Sequence, residues 1–345
     1  MNDDELIQAI KTRALALGYE KCGIIGVQEM GGYADALARR LDEYPTDRPV
    51  LEQFRAFADV QKIVPWAQSV IVLARPYGHY SIPRHLKGHI ASAYLAGGLH
   101  VEGSRDNTDS NAFGEYLSAL GVKAITDRKH GLTAMRWAAR MAGVGIIRKN
   151  NFFYTESGSW VLLSAWLIDR ALEHKERCAL KPCPKNCRRC MDACPTSALK
   201  HPYSMQPTAC VAFLTGFGGS DLPSNPASSA MGGWVYGCDA CQSACPHNRV
   251  PGRETCEYPG LDELSHKISL TQIIDMDLST TKELLGGQFW YIAEERLWKW
   301  KVNALNAMKN EYKAEYLPWI EKAGNDPAEQ VRSMATWVLK CLFER

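Results

Sequence analysis

Eight of the twelve cysteines in this 345-residue chain form one constellation: Cys183, Cys187, Cys190 and Cys194, then Cys210, then Cys238, Cys241 and Cys245. The first group, "CPKNCRRCMDACP", has gaps of three, two and three residues before its proline, and "CDACQSACP" repeats the ending. In bacterial ferredoxins such runs hold [4Fe-4S] clusters, and the cysteine before proline ligates the other cluster. By that rule Cys183, Cys187, Cys190 and Cys245 hold one [4Fe-4S] cluster, while Cys194, Cys210, Cys238 and Cys241 hold a second. Two zinc ribbons would also use eight cysteines, but they favour isolated CxxC pairs with longer spacers. Three ligands in close succession followed by Cys-Pro point to iron and sulfide instead. Cys178 lies just upstream and competes with Cys183 as first ligand. For the remainder, Cys22, Cys178, Cys256 and Cys341, the default is a buried apolar thiol.

Composition bounds what surrounds these thiols. Hydrophobic residues make up 46% and charged residues 23%, with a formal net charge of +2. A disordered or fibrous chain is thereby excluded, and no overall field draws the protein toward nucleic acid or an anionic membrane. The opening "MNDDELIQAIKTRALALG" is charged and amphipathic, unlike a signal peptide. The longest apolar run, "WVLLSAWLI" at 160–168, is about half of the roughly 20 residues a membrane span needs. The expectation is a cytoplasmic protein with no membrane contact, in which cysteines serve as metal ligands or reactive thiols rather than disulfides.

The elements that must position the cysteines follow from periodicity. Helical spacing covers residues 3–17, and "CGIIGV" reads as a buried strand. Helices are expected near 34–41 and 51–60, and "SVIVLARPY" as the strongest strand. Polar, Gly-rich sequence from 79 to 111 is long for a structureless loop, so it is partly helical around "IASAYLAGG" or a binding loop. A short helix at 112–120, a strand at "VKAIT", a helix at 132–142 and a strand at "SWVLLSAWLI" complete a first domain, residues 1–177, of α/β or α+β type. Residues 178–258 are rich in Cys, Pro, Gly and Asn, a small module whose core depends on what the cysteines bind. Residues 259–345 return to helix, where Trp298, Trp300 and Trp337 are expected to pack helices against one another.

With both cysteine motifs placed, the chain resembles the epoxyqueuosine reductases, cobalamin-dependent iron–sulfur enzymes related to reductive dehalogenases. "AGVGIIRKN" resembles that family's Gly-x-Gly segment with its Lys-Asn, "GSWVLLSAWLID" the strand after it, "TACVAFLT" the lone-cysteine helix, and "YGCDACQSACPHN" the second cluster motif. "AYLAGGLH" sits where the family has a Tyr-rich loop ending in His. The resemblance implies an α+β architecture: a nitroreductase-like N-terminal domain that binds a corrinoid, a ferredoxin-type double-cluster module and a HEAT-like helical tail. It also implies electrons from an external low-potential donor of flavodoxin or ferredoxin type, passed through both clusters to cobalt. The substrate would be an electrophile, epoxyqueuosine in tRNA or a related compound. An electron-transfer or redox-sensing protein without catalytic chemistry is the alternative.

Residue by residue, the resemblance points to Gly143, Gly145, Arg148, Lys149, Asn150 and Ser159 for cofactor binding. Tyr94 and His100 are candidates for proton delivery. The family's acid upstream of Gly-x-Gly is missing from "AITDRKHGLTAMRWAARMAG": an ungapped count puts Lys129 there and Met135 in place of a Glu. Asp127, two residues away, is the third proton-donor candidate. Arg148 replaces a family glycine and is expected to add charge beside the corrinoid pocket. These departures suggest a divergent paralogue. Were tRNA bound, the tail, "RDNTDSN" and "DRKH" would have to contribute, although none is strongly basic.

Overall fold

The computed structural model describes residues 1–128, 131–219, 221–249 and 256–343; Lys129 and His130 therefore lie outside the described residues. Its centre is a four-stranded antiparallel sheet of β1 (Lys21–Gly26), β2 (Ser69–Pro76), β3 (Ala124–Thr126) and β4 (Val161–Ile168), in the order β1-β2-β4-β3. Strand β2 is central, with Val72 opposite Gly23 on one side and Ala165 on the other. Its alternation divides two cores. Ile71 and Leu73 face α1 (Asp3–Ala16) and α3 (Arg105–Ala119). Val70, Val72 and Ala74 face α4 (Met135–Met141). Both faces are covered, which explains why "SVIVLARPY" is continuously apolar where a one-sided antiparallel strand would alternate. Full burial of Ile71 or Leu73 contributes about 1.5–3 kcal/mol each.

Two expected helices change. The helix predicted at 112–120 starts at Arg105, because Ser104 caps it by accepting from the Asn107 amide at 3.2 Å. Its polar first turns are also buried: Asp106 lies 3.5 Å from Arg75 and accepts from the Tyr258 hydroxyl at 2.9 Å. Hydrophobic periodicity misses a helix face buried through ion pairs. Near 51–60 the chain forms a 3-10 stretch, Glu52–Ala58, with none of its residues fully buried. Helix α2 (Tyr33–Glu43) precedes it, and Ser92–Leu95 supplies the short helical turn expected around "IASAYLAGG".

The cysteine module is turn-rich, with short helices at Arg189–Asp192 and Ala240–Ser243 and a longer α5 (Val211–Gly216). Helix α6 (Trp298–Asn310) clamps its interior. Asn303 donates to the Thr215 and Val235 carbonyls at 2.9 and 2.8 Å, Asn306 to Ser228 at 2.9 Å, and Asn310 to Ser228 and Gly232 at 2.8 and 3.0 Å. These asparagines recur every three or four residues, so one helix face satisfies the carbonyls of a segment with little regular structure. Trp300 is fully buried and stacks on Tyr236 at 5.0 Å, facing this module rather than only its own helices. One hydrophobic core runs through parts of 77–96, 211–236 and 258–338. Among the described residues, no helix is long and apolar enough to cross a membrane.

Candidate functional site

The cysteines of the two motifs lie close together, with Cys190 packed near Cys194 and Cys241. Burial pushes the Cys190 thiol up to about 11, and the largest charges adding to this are those of Cys245, Cys183 and Cys187. Burial likewise pushes Cys238 up to about 12, with Cys210, Asp239 and Cys194 contributing. Cys241 is raised well above the ordinary thiol value by burial, then by Cys238, Cys210, Cys194 and Cys190. Thiols crowded in this way stay protonated unless a cation compensates them, and iron coordination supplies that compensation by deprotonating its ligand. Among the described residues no three His, Cys, Asp or Glu close around a single-ion site.

The "RKN" segment holds these loops in place. The Lys149 ammonium donates to the Pro184, Lys185 and Cys187 carbonyls at 2.8, 2.7 and 3.0 Å, which pins the wide first gap of the motif. Asn150 donates to the Cys241 carbonyl at 3.3 Å and the Tyr154 hydroxyl at 2.8 Å. Ser159 accepts from Gln242 and Asn248 at 3.0 and 2.8 Å, so it docks the second motif on the sheet while also facing the cavity. Gly143 and Gly145 serve close packing. A β-carbon at Gly143, where φ is +69°, would meet the Glu176 carbonyl oxygen at 2.0 Å, and one at Gly145 would meet that of Tyr154 at 2.1 Å. Arg148, expected beside the pocket, instead turns to the cysteine module, its Nη1 3.9 Å from Cys183 Sγ. The leftover cysteines differ among themselves: Cys22 is buried and pushed up to about 12, Cys178 and Cys341 are half-buried, and Cys256 is exposed.

A cavity of about 1120 Å³ lies between the sheet, α2, α4 and the residues that precede α6. That exceeds the roughly 300–1,000 Å³ of most small-ligand pockets. Tyr94 and His100 both face it. His100 packs at a tilt against Trp290 at 4.7 Å, and Tyr94 packs edge-on against Tyr236 at 4.7 Å and shares a hydrogen bond with Tyr291. Burial holds the Tyr94 hydroxyl well above the ordinary tyrosine value, with Tyr291, Tyr236 and Cys210 adding to the shift, so it remains protonated. Asp127 does not line the cavity. It is 2% exposed, and its two oxygens accept from the Gly131 and Thr133 amides at 2.7 and 3.0 Å, which closes the loop before α4.

Periodicity did not reveal a basic wall. Arg39, Arg40, Arg136 and Arg140 line the cavity, with Glu43 beside them, and no salt bridge engages any of the four among the described residues. Arg136 is exposed to the cavity and its Nη1 donates to the Asn151 carbonyl. Four arginines against the single Glu43 leave an excess of positive charge on this wall, which suits an anionic ligand group. The sequence cue was "ARR" on α2 together with Arg136 and Arg140 one helical turn apart on α4.

Comparison with known proteins places these features. A family model described as a 4Fe-4S double cluster binding domain matches residues 183–248, beginning at Cys183. The chain is 31% identical over 317 residues to an epoxyqueuosine reductase of a Synechococcus species, covering 88% of this chain and 94% of that one. It is 30% identical over 283 residues to the epoxyqueuosine reductase of Gloeobacter violaceus, covering 77% and 85% respectively. Its fold matches a crystal structure of epoxyqueuosine reductase with an epoxyqueuosine-modified tRNA-Tyr stem loop. There the TM-score is 0.80 at 22% identity, over 99% of this chain and 91% of that one.

Proposed function

The chain belongs to the epoxyqueuosine reductase family, and from that premise we propose a cobalamin-dependent iron–sulfur reductase acting on epoxyqueuosine in tRNA or a related phosphate-bearing electrophile. The observation that carries this reading is the shared wall of the cavity and the cysteine module. Tyr94 lines the cavity, while its ring lies over Gly237, next to Cys238.

In this reading Cys183, Cys187, Cys190 and Cys245 ligate one [4Fe-4S] cluster and Cys194, Cys210, Cys238 and Cys241 the other. Lys149, Asn150 and Ser159 set their loops. The corrinoid would rest against the apolar wall of Ile146, Ile147, Phe152 and Phe153. When bound, it supplies a metal centre reducing enough for two-electron chemistry. Residues 1–177 form the nitroreductase-like half that receives it, 178–258 the double-cluster module and 259–345 a HEAT-like support.

The chain's own groups bind, orient and protonate. The arginine wall takes the substrate's phosphate, and Tyr94 and His100 hold the protons that the reduction consumes. Asp127, with both oxygens engaged by backbone amides, orders the loop that leads into the wall. An external donor of flavodoxin or ferredoxin type suits the exposed cations Lys181, Lys185, Arg188 and Arg189 around the half-buried Cys183 and Cys187.

The test is anaerobic reconstitution with iron, sulfide and cobalamin, followed by desalting and an absorption spectrum. One corrinoid retained per chain beside about eight irons, the content of two [4Fe-4S] clusters, supports the reductase. Loss of the corrinoid with both clusters intact sinks it in favour of an electron-transfer or sensing role.

A further inference from the structure

Arg148 is 2% exposed, yet no carboxylate pairs with it among the described residues. Its guanidinium lies 5.1 Å from the Tyr154 ring centre, its Nη1 reaches Cys183 Sγ at 3.9 Å, and its Nε has no hydrogen-bond partner. A buried cation without a counter-ion is costly, so this one requires an anion at the place it faces. A [4Fe-4S] cluster with four thiolates is anionic in both of its working oxidation states and gains a further negative charge on reduction. A fixed cation beside one sulfur stabilises the reduced form more, which raises the reduction potential. Around the second set of thiols the arrangement is the opposite. Asp239 sits beside Cys238, and among the described residues no Arg or Lys reaches a sulfur there.

We propose that Arg148 is the counter-ion of the cluster held by Cys183, Cys187, Cys190 and Cys245, and that it holds the reduction potential of this cluster above the value its ligands alone would set. The two clusters thereby become inequivalent, with the one beside Arg148 the easier to reduce. This rests on the ligand assignment above.

Redox titration of the reconstituted full-length protein, followed by electron paramagnetic resonance, decides the matter. In Arg148→Gln one of the two midpoints should fall by at least about 59 mV, a tenfold loss in the one-electron reduction constant, while the other stays in place. Arg148→Ala, which removes the guanidinium with the least change of backbone freedom, should repeat the shift if the Gln variant assembles poorly. Arg148→Lys should recover part of it, which a merely structural role for the guanidinium would not predict. Unchanged midpoints in the neutral variants with about eight irons bound overturn the proposal, as does an equal fall of both. Fewer than two clusters in the parent chain would sink the ligand assignment itself and this proposal with it.

Discussion

Tyr94 lies so close over Gly237 that a β-carbon on the glycine would come within 2.6 Å of the ring's Cε2. Gly237 has φ +71° and precedes Cys238, so the backbone that turns into the second cysteine motif is also the platform for a cavity residue. The Tyr94 hydroxyl is buried, protonated and hydrogen-bonded to Tyr291. Tyr94→Phe keeps the ring and removes the proton. Turnover of an epoxyqueuosine-bearing stem loop should fall by about 10²-fold, the low end for loss of a general acid, with iron content unchanged. Turnover within twofold of the parent would remove Tyr94 from proton delivery.

Lys149 ties the cluster loop rather than the cavity, and this predicts a different phenotype. Lys149→Met removes the one donor shared by three carbonyls of a partly exposed loop, and with it hydrogen bonds to a charged group of about 1.5–3 kcal/mol each before water replaces part of the loss. The segment that spaces Cys183 from Cys187 should loosen, and reconstituted protein should fall from about eight irons toward four. Cys183→Ala should do the same and Cys178→Ala should not. Iron and acid-labile sulfide analysis checks all three, and a Cys178→Ala protein with half its iron would reverse the choice of first ligand.

What could be read in advance depended on how local the physics was. Ligand spacing is local, so the cysteine sets were readable as motifs, and the unbroken apolar run of β2 was readable as a strand buried on both faces. The partners of Lys149 and Arg148 lie about 35 residues along the chain; their positions carried the resemblance, but their direction could not be read from it. Asp127 reads equally as an acid or as a turn residue until its two amide contacts are known. The arginine wall was the least visible feature, since it exists only where α2 and α4 meet across the cavity. Net charge near zero hid it.

That wall makes its own prediction. Arg136 and Arg140 face the cavity without carboxylate partners, so their charge is available to a ligand. Arg136→Met and Arg140→Met should each raise KM for a stem-loop substrate by about 10-fold, the equivalent of ~1.4 kcal/mol and close to the low end for a charged hydrogen bond. In the double variant, the slope of log(kcat/KM) against log salt should flatten. A neutral nucleoside analogue should respond to neither change. Equal losses for charged and neutral substrates would make the wall structural.

Lys299 on α6 gives the protein a pH dependence that the clusters do not require. The side chain is fully buried and donates to the Gly218 carbonyl, and burial brings its ammonium from 10.5 down to about 7, with Arg296 adding to the effect and Asp221 opposing it. Below pH 7 the lysine is charged in both folded and unfolded chains, and the folded state bears the full desolvation cost. Between about 7 and 10.5 the unfolded chain keeps a proton that the folded one has released, so stability rises with pH across that window. The upper bound on the rise is about 4–5 kcal/mol. Lys299→Met removes the buried charge and should be more stable than the parent at pH 6, because an apolar residue replaces an unpaired ion. The difference should shrink by pH 9, where the parent amine is neutral. Anaerobic urea melts of cluster-loaded parent and variant at both pH values measure this, and a constant gap between them would show that Lys299 stays charged in the folded protein.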